Sequence, residues 1–328
     1  MRACVGNTDH DWYSFLLARQ TAARALGRPG LDEVNFWKPS GRPFRMLAPG
    51  EPFFFRLKSP YNMVAGFGVF ARYEVLPDWL AWEAFGEANG NPSLSSLRKA
   101  TRSYLHRKGG ADGEHADAIG CVMLTQPVFF DESDWIEGPL DWQPNIVSYK
   151  GYDLEAAEGK RLLRECLDRV ASPSGFGGVR EVPAYGEQRE LPGLVDRYGR
   201  PTLVRPRLGQ GTFRIAVTEA YDRACAVTGE HSLPVLEAAH IKPYADGGEH
   251  AVSNGLLLRT DLHRLFDNGY VTVDEDHRLV VSRRLRDEFH NGKTYYQMAG
   301  QNLLLPARFV DRPDESLLAW HREHVFAA

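Results

Sequence analysis

The sequence predicts an α+β protein built as two domains, and three observations carry that reading. The chain has 328 residues, more than one average domain holds. Its first half alternates between Gly-punctuated runs of β-formers and helical stretches. Then a Pro-, Gly- and Ser-rich stretch, 171–202, separates that half from a region with a different signature. That signature is a strand, a Gly-rich turn and a helix that carry His240, Asn254 and His263 in order. The expected organisation is a first domain over 1–170, a linker over 171–202 and a second domain over 203–328.

The bulk composition is that of an ordinary globular chain, with 43% hydrophobic and 25% charged residues. No stretch is apolar for long enough to span a bilayer, so no membrane partner is expected. The first ten residues lack the charged-then-apolar pattern of a signal peptide, and a cytoplasmic location is expected. The four cysteines, Cys4, Cys121, Cys166 and Cys225, have no paired spacing and predict neither a disulfide framework nor a zinc knuckle. A net charge of −4 excludes a wholly basic nucleic-acid glove, although local basic clusters can still grip phosphate. Eight of the eleven histidines follow residue 200, which concentrates metal and acid–base chemistry there.

Residues 8–28 predict a helix with Trp12, Phe15, Leu16 and Ala23 on one side. Strands follow at 33–39, 50–57 and 62–73, the last one rich in glycine, as bulges in a small curved barrel require. Helices are predicted over 77–105, where Trp79, Trp82 and Phe85 cluster. A polar loop at 107–117 precedes strands at 119–125 and 128–130, and 154–169 predicts a charged amphipathic helix. Beyond the linker come a helix through Tyr221, the His240 region, strands at 270–273 and 279–281, and a closing helix over 315–325.

Phosphodiester hydrolysis needs a base for water, a cation for the developing charge and something to orient the base. His240 ends a short apolar strand and can take a proton near neutral pH. Asn254 sits where an amide can pin the turn and fix that histidine. His263 and Asp267, four apart on a short helix, share a face and can form half a shell for Mg²⁺ or Mn²⁺. Singly, each of these is usually a surface or helix-face residue, and their joint order and spacing make the case.

The segments Ala-Ala-His-Ile at 238–241, Asn-Gly-Leu-Leu-Leu at 254–258 and Leu-His-Arg-Leu-Phe-Asp at 262–267 resemble the HNH endonucleases, whose ββα fold holds one metal ion. The resemblance covers about 205–325. It implies that His240 is the general base, that Asn254 orients it, and that His263 and Asp267 hold a divalent metal. Two departures stand out. Many HNH domains have a ligand directly before the base, where this chain has Ala239; Asp261 or Glu237 can stand in. Many also bind structural zinc through cysteine pairs. Here only Cys225 lies in the region, so no structural zinc is expected. Arg207, Gln210, Arg214, Arg259 and Arg264 are the candidate DNA contacts, with the glycines of 207–214 allowing close backbone approach.

The strands around Asn35-Phe36-Trp37, 49–55 and 64–68 are similar to the PUA-like barrels, in particular the EVE branch. That resemblance implies a PUA-like β-barrel with flanking helices. Some EVE and SRA members of that superfamily bind a modified base flipped out of the duplex, and their fusions to HNH domains resemble modification-dependent restriction enzymes. A flipped base needs aromatic walls and polar edge readers. Trp37 and Trp82 are candidate walls and Asn35 a candidate edge reader, although core packing accounts for most aromatics in a barrel of this size. The expected function is metal-dependent cleavage of double-stranded DNA carrying a modified base, with modified cytosine first in line, by a homodimer. Two rival readings are an anti-phage nuclease gated by a nucleotide signal or partner, and a non-catalytic DNA-binding protein that keeps the HNH shape.

Overall fold

A computed structural model of the chain describes residues 1–39, 41–107, 118–171 and 208–327. They fall into two compact units, Met1–Pro206 and Arg207–Ala328. Beyond residue 171 the expected linker lies outside the described residues, as does the polar loop beyond residue 107.

The first unit runs β1 (Arg2–Thr8), α1 (His10–Ala25), β2 (Glu33–Lys38), β3 (Pro52–Leu57), β4 (Met63–Pro77), α2 (Asp78–Phe85), α3 (Leu94–Arg107), β5 (Ala118–Phe129), β6 (Ile136–Glu137), β7 (Tyr149–Asp153) and α4 (Ala157–Ala171). One mixed sheet is ordered β2-β5-β4-β3-β1-β7, with β6 paired to β4. β1 and β3 run parallel, with Cys4 opposite Phe53. The remaining pairs of this sheet run antiparallel. Register shifts between Phe67 and Val69 and between Phe70 and Arg72 bend the long β4 against β5. The first of these falls at Gly68, where glycine punctuates the sequence, and the second at Ala71.

Strand alternation sends side chains into two separate cores. Phe53, Phe55 and Leu57 of β3 join Cys4, Val34 and Leu124 on one face, where α1 contributes Trp12, Tyr13 and Leu16. Phe54 of β3 joins Ala3, Val5 and Val64 on the other, where α4 contributes Leu162 and Cys166. Phe53, Phe54 and Phe55 are all completely buried. Each such side chain contributes roughly 1.5–3 kcal/mol by leaving water. β1 and β7 are additional to the strands expected from the sequence, and the strands expected at 119–125 and 128–130 are one continuous β5.

The second unit runs α5 (Gln210–Ala220), β8 (Leu236–His240), β9 (Gly255–Arg259), α6 (Thr260–Asp267), β10 (Val271–Val273), β11 (Leu279–Val281), α7 (Arg284–Phe289), α8 (Lys293–Tyr296) and α9 (Glu315–His324). β8 and β9 form an antiparallel pair with His240 opposite Gly255 and Leu236 opposite Arg259. α6 starts at the next residue. One core gathers Phe213 and Val217 of α5, Leu256–Leu258 of β9, Leu262 and Phe266 of α6, and Leu318 of α9. The hairpin and α6 thus share one core with α5 and α9, which fixes the polar residues they carry. Among the described residues no helix is long and apolar enough to cross a membrane.

Candidate active site

The loop between β8 and β9 is built around one amide. Asn254 is almost wholly buried, with 1% of its surface exposed. Its Oδ1 accepts from the Lys242 backbone N–H at 2.9 Å, and its Nδ2 donates to the carbonyls of Lys242 and Glu249, both at 2.9 Å. The two ends of the turn are therefore tied through a single side chain. Gly247 makes the turn with φ at +85°, a conformation that side chains resist. At Gly248 a Cβ would lie 2.0 Å from the Lys242 carbonyl oxygen and 2.9 Å from Asn254 Nδ2. Only glycine lets the amide reach its targets. The expected link from Asn254 to His240 is therefore indirect: the amide holds the loop backbone and does not contact the imidazole.

His240 is oriented by rings. Phe213 stacks on it at 4.0 Å with planes 16° apart. His240 Nε2 lies 2.9 Å from Nδ1 of His250, and Tyr244 stacks on His250 at 4.9 Å with planes 4° apart. His240 Nδ1 has no hydrogen-bond partner among the described residues. Burial, reinforced by the neighbouring His250 and His263, pulls the His240 pKa down to about 4. The ring is neutral at physiological pH and so able to accept a proton.

α6 is amphipathic, burying Leu262 and Phe266 and turning His263 and Asp267 away from the core. Glu237 Oε2 lies 2.6 Å from His263 Nδ1, and Asp267 Oδ2 lies 3.3 Å from His263 Nε2. Burial raises the Asp267 carboxyl above its ordinary range, partly offset by His263. A neutral imidazole has one N–H and can satisfy one carboxylate. If Glu237 takes that proton, the Nε2 lone pair and Asp267 converge as two donors that need a positive charge between them. A carboxylate on the far nitrogen of a metal-binding histidine is the usual way such a ligand is oriented. Among the described residues no group of three or more His, Cys, Asp or Glu side chains is arranged to hold a metal ion. His263 and Asp267 therefore fit a cation as an open half-shell, with water and phosphate oxygens supplying the remainder.

Of the two stand-ins for Ala239, the geometry separates Glu237 from Asp261. Ala239 is completely buried. Glu237, two residues earlier on β8, shares its strand face and reaches His263. Asp261 is taken by both arms of Arg259 at 2.7 and 2.8 Å and by the Tyr295 hydroxyl at 3.2 Å. A cleft of about 220 Å³ brings together His240, Tyr244, His263 and Asp267, and is also lined by His321. The His321 ring is buried against Phe266 at 3.7 Å. Its Nε2–H donates to the Phe266 carbonyl at 3.1 Å, leaving Nδ1 to accept from the Thr272 hydroxyl at 2.9 Å.

The expected phosphate contacts are less uniform. Arg207 lies outside the described residues. Gln210 is exposed in the first turn of α5, and Arg214 is half-buried on the same helix. Arg259 is committed to Asp261, so a phosphate would have to compete for its fork. Arg264, on α6 one residue after His263, is exposed and makes no ion pair with a described residue.

In the first unit, Asn35 is fully buried. Its Nδ2 donates to Asn89 Oδ1 at 2.8 Å and to Cys121 Sγ at 3.3 Å. Asn89 in turn accepts the Trp37 indole N–H on its backbone carbonyl at 3.0 Å. Asn35 is thus enclosed and joined to Trp37 through Asn89, and no base edge reaches it in this conformation. Trp37 and Trp82 are both half-buried.

Two residues of the site are not evident from the sequence. His250 and Tyr244 lie in the turn between the expected base and Asn254, and a histidine inside a Gly-rich turn is the only signal either gives. Their contacts depend on a loop path that Asn254 sets.

Comparison with known proteins gives one family match in this region. Residues 225–274 match the family model of the HNH endonucleases, HNH_2, a span that includes Glu237, His240, His250, Asn254, His263 and Asp267. No curated protein matches the chain. Among solved structures, a point mutant of the ASCH protein of Zymomonas mobilis is 14% identical at a TM-score of 0.30, covering 49% of this chain and 96% of its own. The unmutated Zymomonas mobilis ASCH protein is 15% identical at 0.28, covering 49% and 94%. The modification-dependent TagI restriction endonuclease is 14% identical at 0.27, covering 91% of this chain and 77% of its own. Likeness at that level says nothing of what this chain does. The α+β chain described here carries an HNH endonuclease domain at residues 225–274 and is a nuclease.

Proposed function

We propose that the protein is a divalent-metal-dependent endonuclease that hydrolyses double-stranded DNA carrying a modified base, with modified cytosine the first candidate. The observation that carries the catalytic part is the meeting of a neutral His240 with His263 and Asp267 in one cleft, with Glu237 on Nδ1 of His263.

In this reading His240 takes a proton from water on its Nδ1 as the water oxygen bonds to phosphorus and one P–O ester bond breaks. Asn254 keeps the loop that carries His250 and Tyr244 in place. His263 Nε2 and Asp267 hold the cation, and Glu237 fixes the His263 tautomer through Nδ1. A cation bound there, Mg²⁺ or Mn²⁺, supplies positive charge for the phosphate and the departing oxygen. Arg264 and Arg214 are the proposed phosphate grips of the second unit, together with Gln210 of α5 and, before it in the sequence, Arg207. Arg259 serves chiefly to hold Asp261.

For the first unit the proposal is recognition of the modified base, with Trp37 and Trp82 as stacking walls and Asn35 bracing Trp37 through Asn89. What supports this is the half-exposed indole held at a fixed angle by its N–H bond, as a stacking platform requires. A homodimer would place two such sites on the two strands.

The test is digestion of plasmids that are unmodified, 5-methylated or 5-hydroxymethylated at cytosine, with Mg²⁺ or Mn²⁺, followed by sequencing of the fragment ends. Cutting of the modified plasmids alone is expected. Equal cutting of all three removes the sensing function, and equal behaviour of wild type and His240→Ala removes the catalytic assignment.

A further inference from the structure

We infer that His250 is a positioning residue for the proposed base: it accepts the Nε2–H of His240, and so presents the His240 Nδ1 lone pair to water. The inference rests on the reading of His240 as the base.

Four aromatic rings form one column through the loop. Phe213 is buried to 1% exposure and stacks on His240. His240 meets His250 through the 2.9 Å Nε2 to Nδ1 contact. Tyr244 closes the column on His250 with near-parallel planes and is itself 67% exposed. Stacking fixes the plane of each imidazole but leaves open which nitrogen carries the proton. The contact between the two rings decides that. One N–H must sit between them, because two facing lone pairs 2.9 Å apart repel.

Two arrangements satisfy the contact. If His250 donates, His240 must carry its own proton on Nδ1, and that N–H has no acceptor among the described residues. If His240 donates, its Nδ1 is a bare lone pair. The second arrangement needs no acceptor at His240 Nδ1. It is also the only one in which His240 can take a proton from water on the unpaired nitrogen. Tyr244 then has a defined purpose, since its parallel ring keeps His250 from rotating its Nδ1 away from His240.

The test has two arms. Histidine ¹⁵N NMR of the intact wild-type protein should show His240 protonated on Nε2 and bare on Nδ1; protonation on Nδ1 overturns the inference without any variant. The second arm measures metal-dependent nicking of supercoiled plasmid, unmodified and 5-methylcytosine-bearing, with Mn²⁺. His250→Phe keeps the ring on Tyr244 but accepts no hydrogen bond, and should lower kcat at least about tenfold at unchanged KM. His250→Asn places an amide oxygen near the lost Nδ1 and should recover activity to within about threefold of wild type. If His250→Phe cuts like wild type, or His250→Asn fails as badly as His250→Phe, the bond is not what positions His240. His240→Ala in the same assay separates the readings: its retention of full activity sinks the base itself, whereas its inactivity beside a fully active His250→Phe sinks only the role of His250.

Discussion

Replacing Asn254 tests whether one side chain holds the whole β8–β9 loop. The amide makes three hydrogen bonds of 2.9 Å to backbone groups from a position with 1% exposure. Each such bond contributes about 1 kcal/mol net, and buried groups left without partners add to the loss. Asn254→Ala should therefore weaken the loop by about 3 kcal/mol, which corresponds to an opening equilibrium constant roughly 100-fold larger. Asn254→Asp is the sharper variant. One carboxylate oxygen can still accept from Lys242, but the other would face the carbonyls of Lys242 and Glu249, acceptor against acceptors. It should be at least as damaging as alanine at neutral pH and recover in part once acid protonates it. Hydrogen exchange read by mass spectrometry over peptides spanning 241–255 measures this directly. Exchange within about threefold of wild type in Asn254→Ala, or an Asp variant as protected as wild type at pH 7, would refute the reasoning.

Three further outcomes follow from the site. Because burial holds His240 at about 4, its proton-accepting form persists well below neutrality, and the acid limb of kcat/KM should lie near pH 4–5; a limb at 6.5 or above contradicts the burial argument. His321 is likewise pulled down to about 4 by burial, below its unfolded value of about 6.5. Its folded form binds the proton less well, so its contribution to stability is full above about pH 6.5 and is lost as pH falls towards 4. The loss is about 3 kcal/mol at most. Urea midpoints for wild type and His321→Gln should converge across that window, and a constant gap would be the contrary result. Asp267→Ala should abolish metal-dependent nicking while DNA retention in gel shift is unchanged, whereas Glu237→Gln should cost roughly 10- to 100-fold in activity. An Asp267→Ala enzyme that still cuts would remove that residue from the cation site.

The parts of the site that are legible in the sequence are those set by local periodicity. His263 and Asp267 share a face because they are one helical turn apart, and His240 ends a strand because a Pro and glycines follow it. Strand parity bears on the site as well. Glu237 and Ala239 point the same way on β8, so alternation alone favours Glu237, whereas Asp261 has Arg259 two residues away to pair with. What is not legible depends on the third dimension. The contact between His240 and His250 spans ten residues of loop, and its path is dictated by an amide further on. β1 escapes a sequence reading because Arg2–Thr8 is polar at both ends, and its strand character comes from lying between β3 and β7. Asn35 reads as a polar residue beside an aromatic and therefore as a reader of bases; the fold buries it and commits its Nδ2 to Asn89 and Cys121, while its Oδ1 has no hydrogen-bond partner among the described residues.

The three consecutive phenylalanines of β3 make the first unit sensitive to chain length in a way that no substitution table would reveal. Phe53 and Phe55 fill one core and Phe54 the other, while Arg56, on the Phe54 side, donates to Asn7 and Asn62 and lies over Trp142. Any one of the phenylalanines can be exchanged for another large apolar residue at modest cost. Adding or deleting one residue just before Phe53 would transpose the faces of the strand and drive the Arg56 guanidinium into the phenylalanine layer. Libraries that vary this strand should therefore accept changes of side chain and reject changes of spacing.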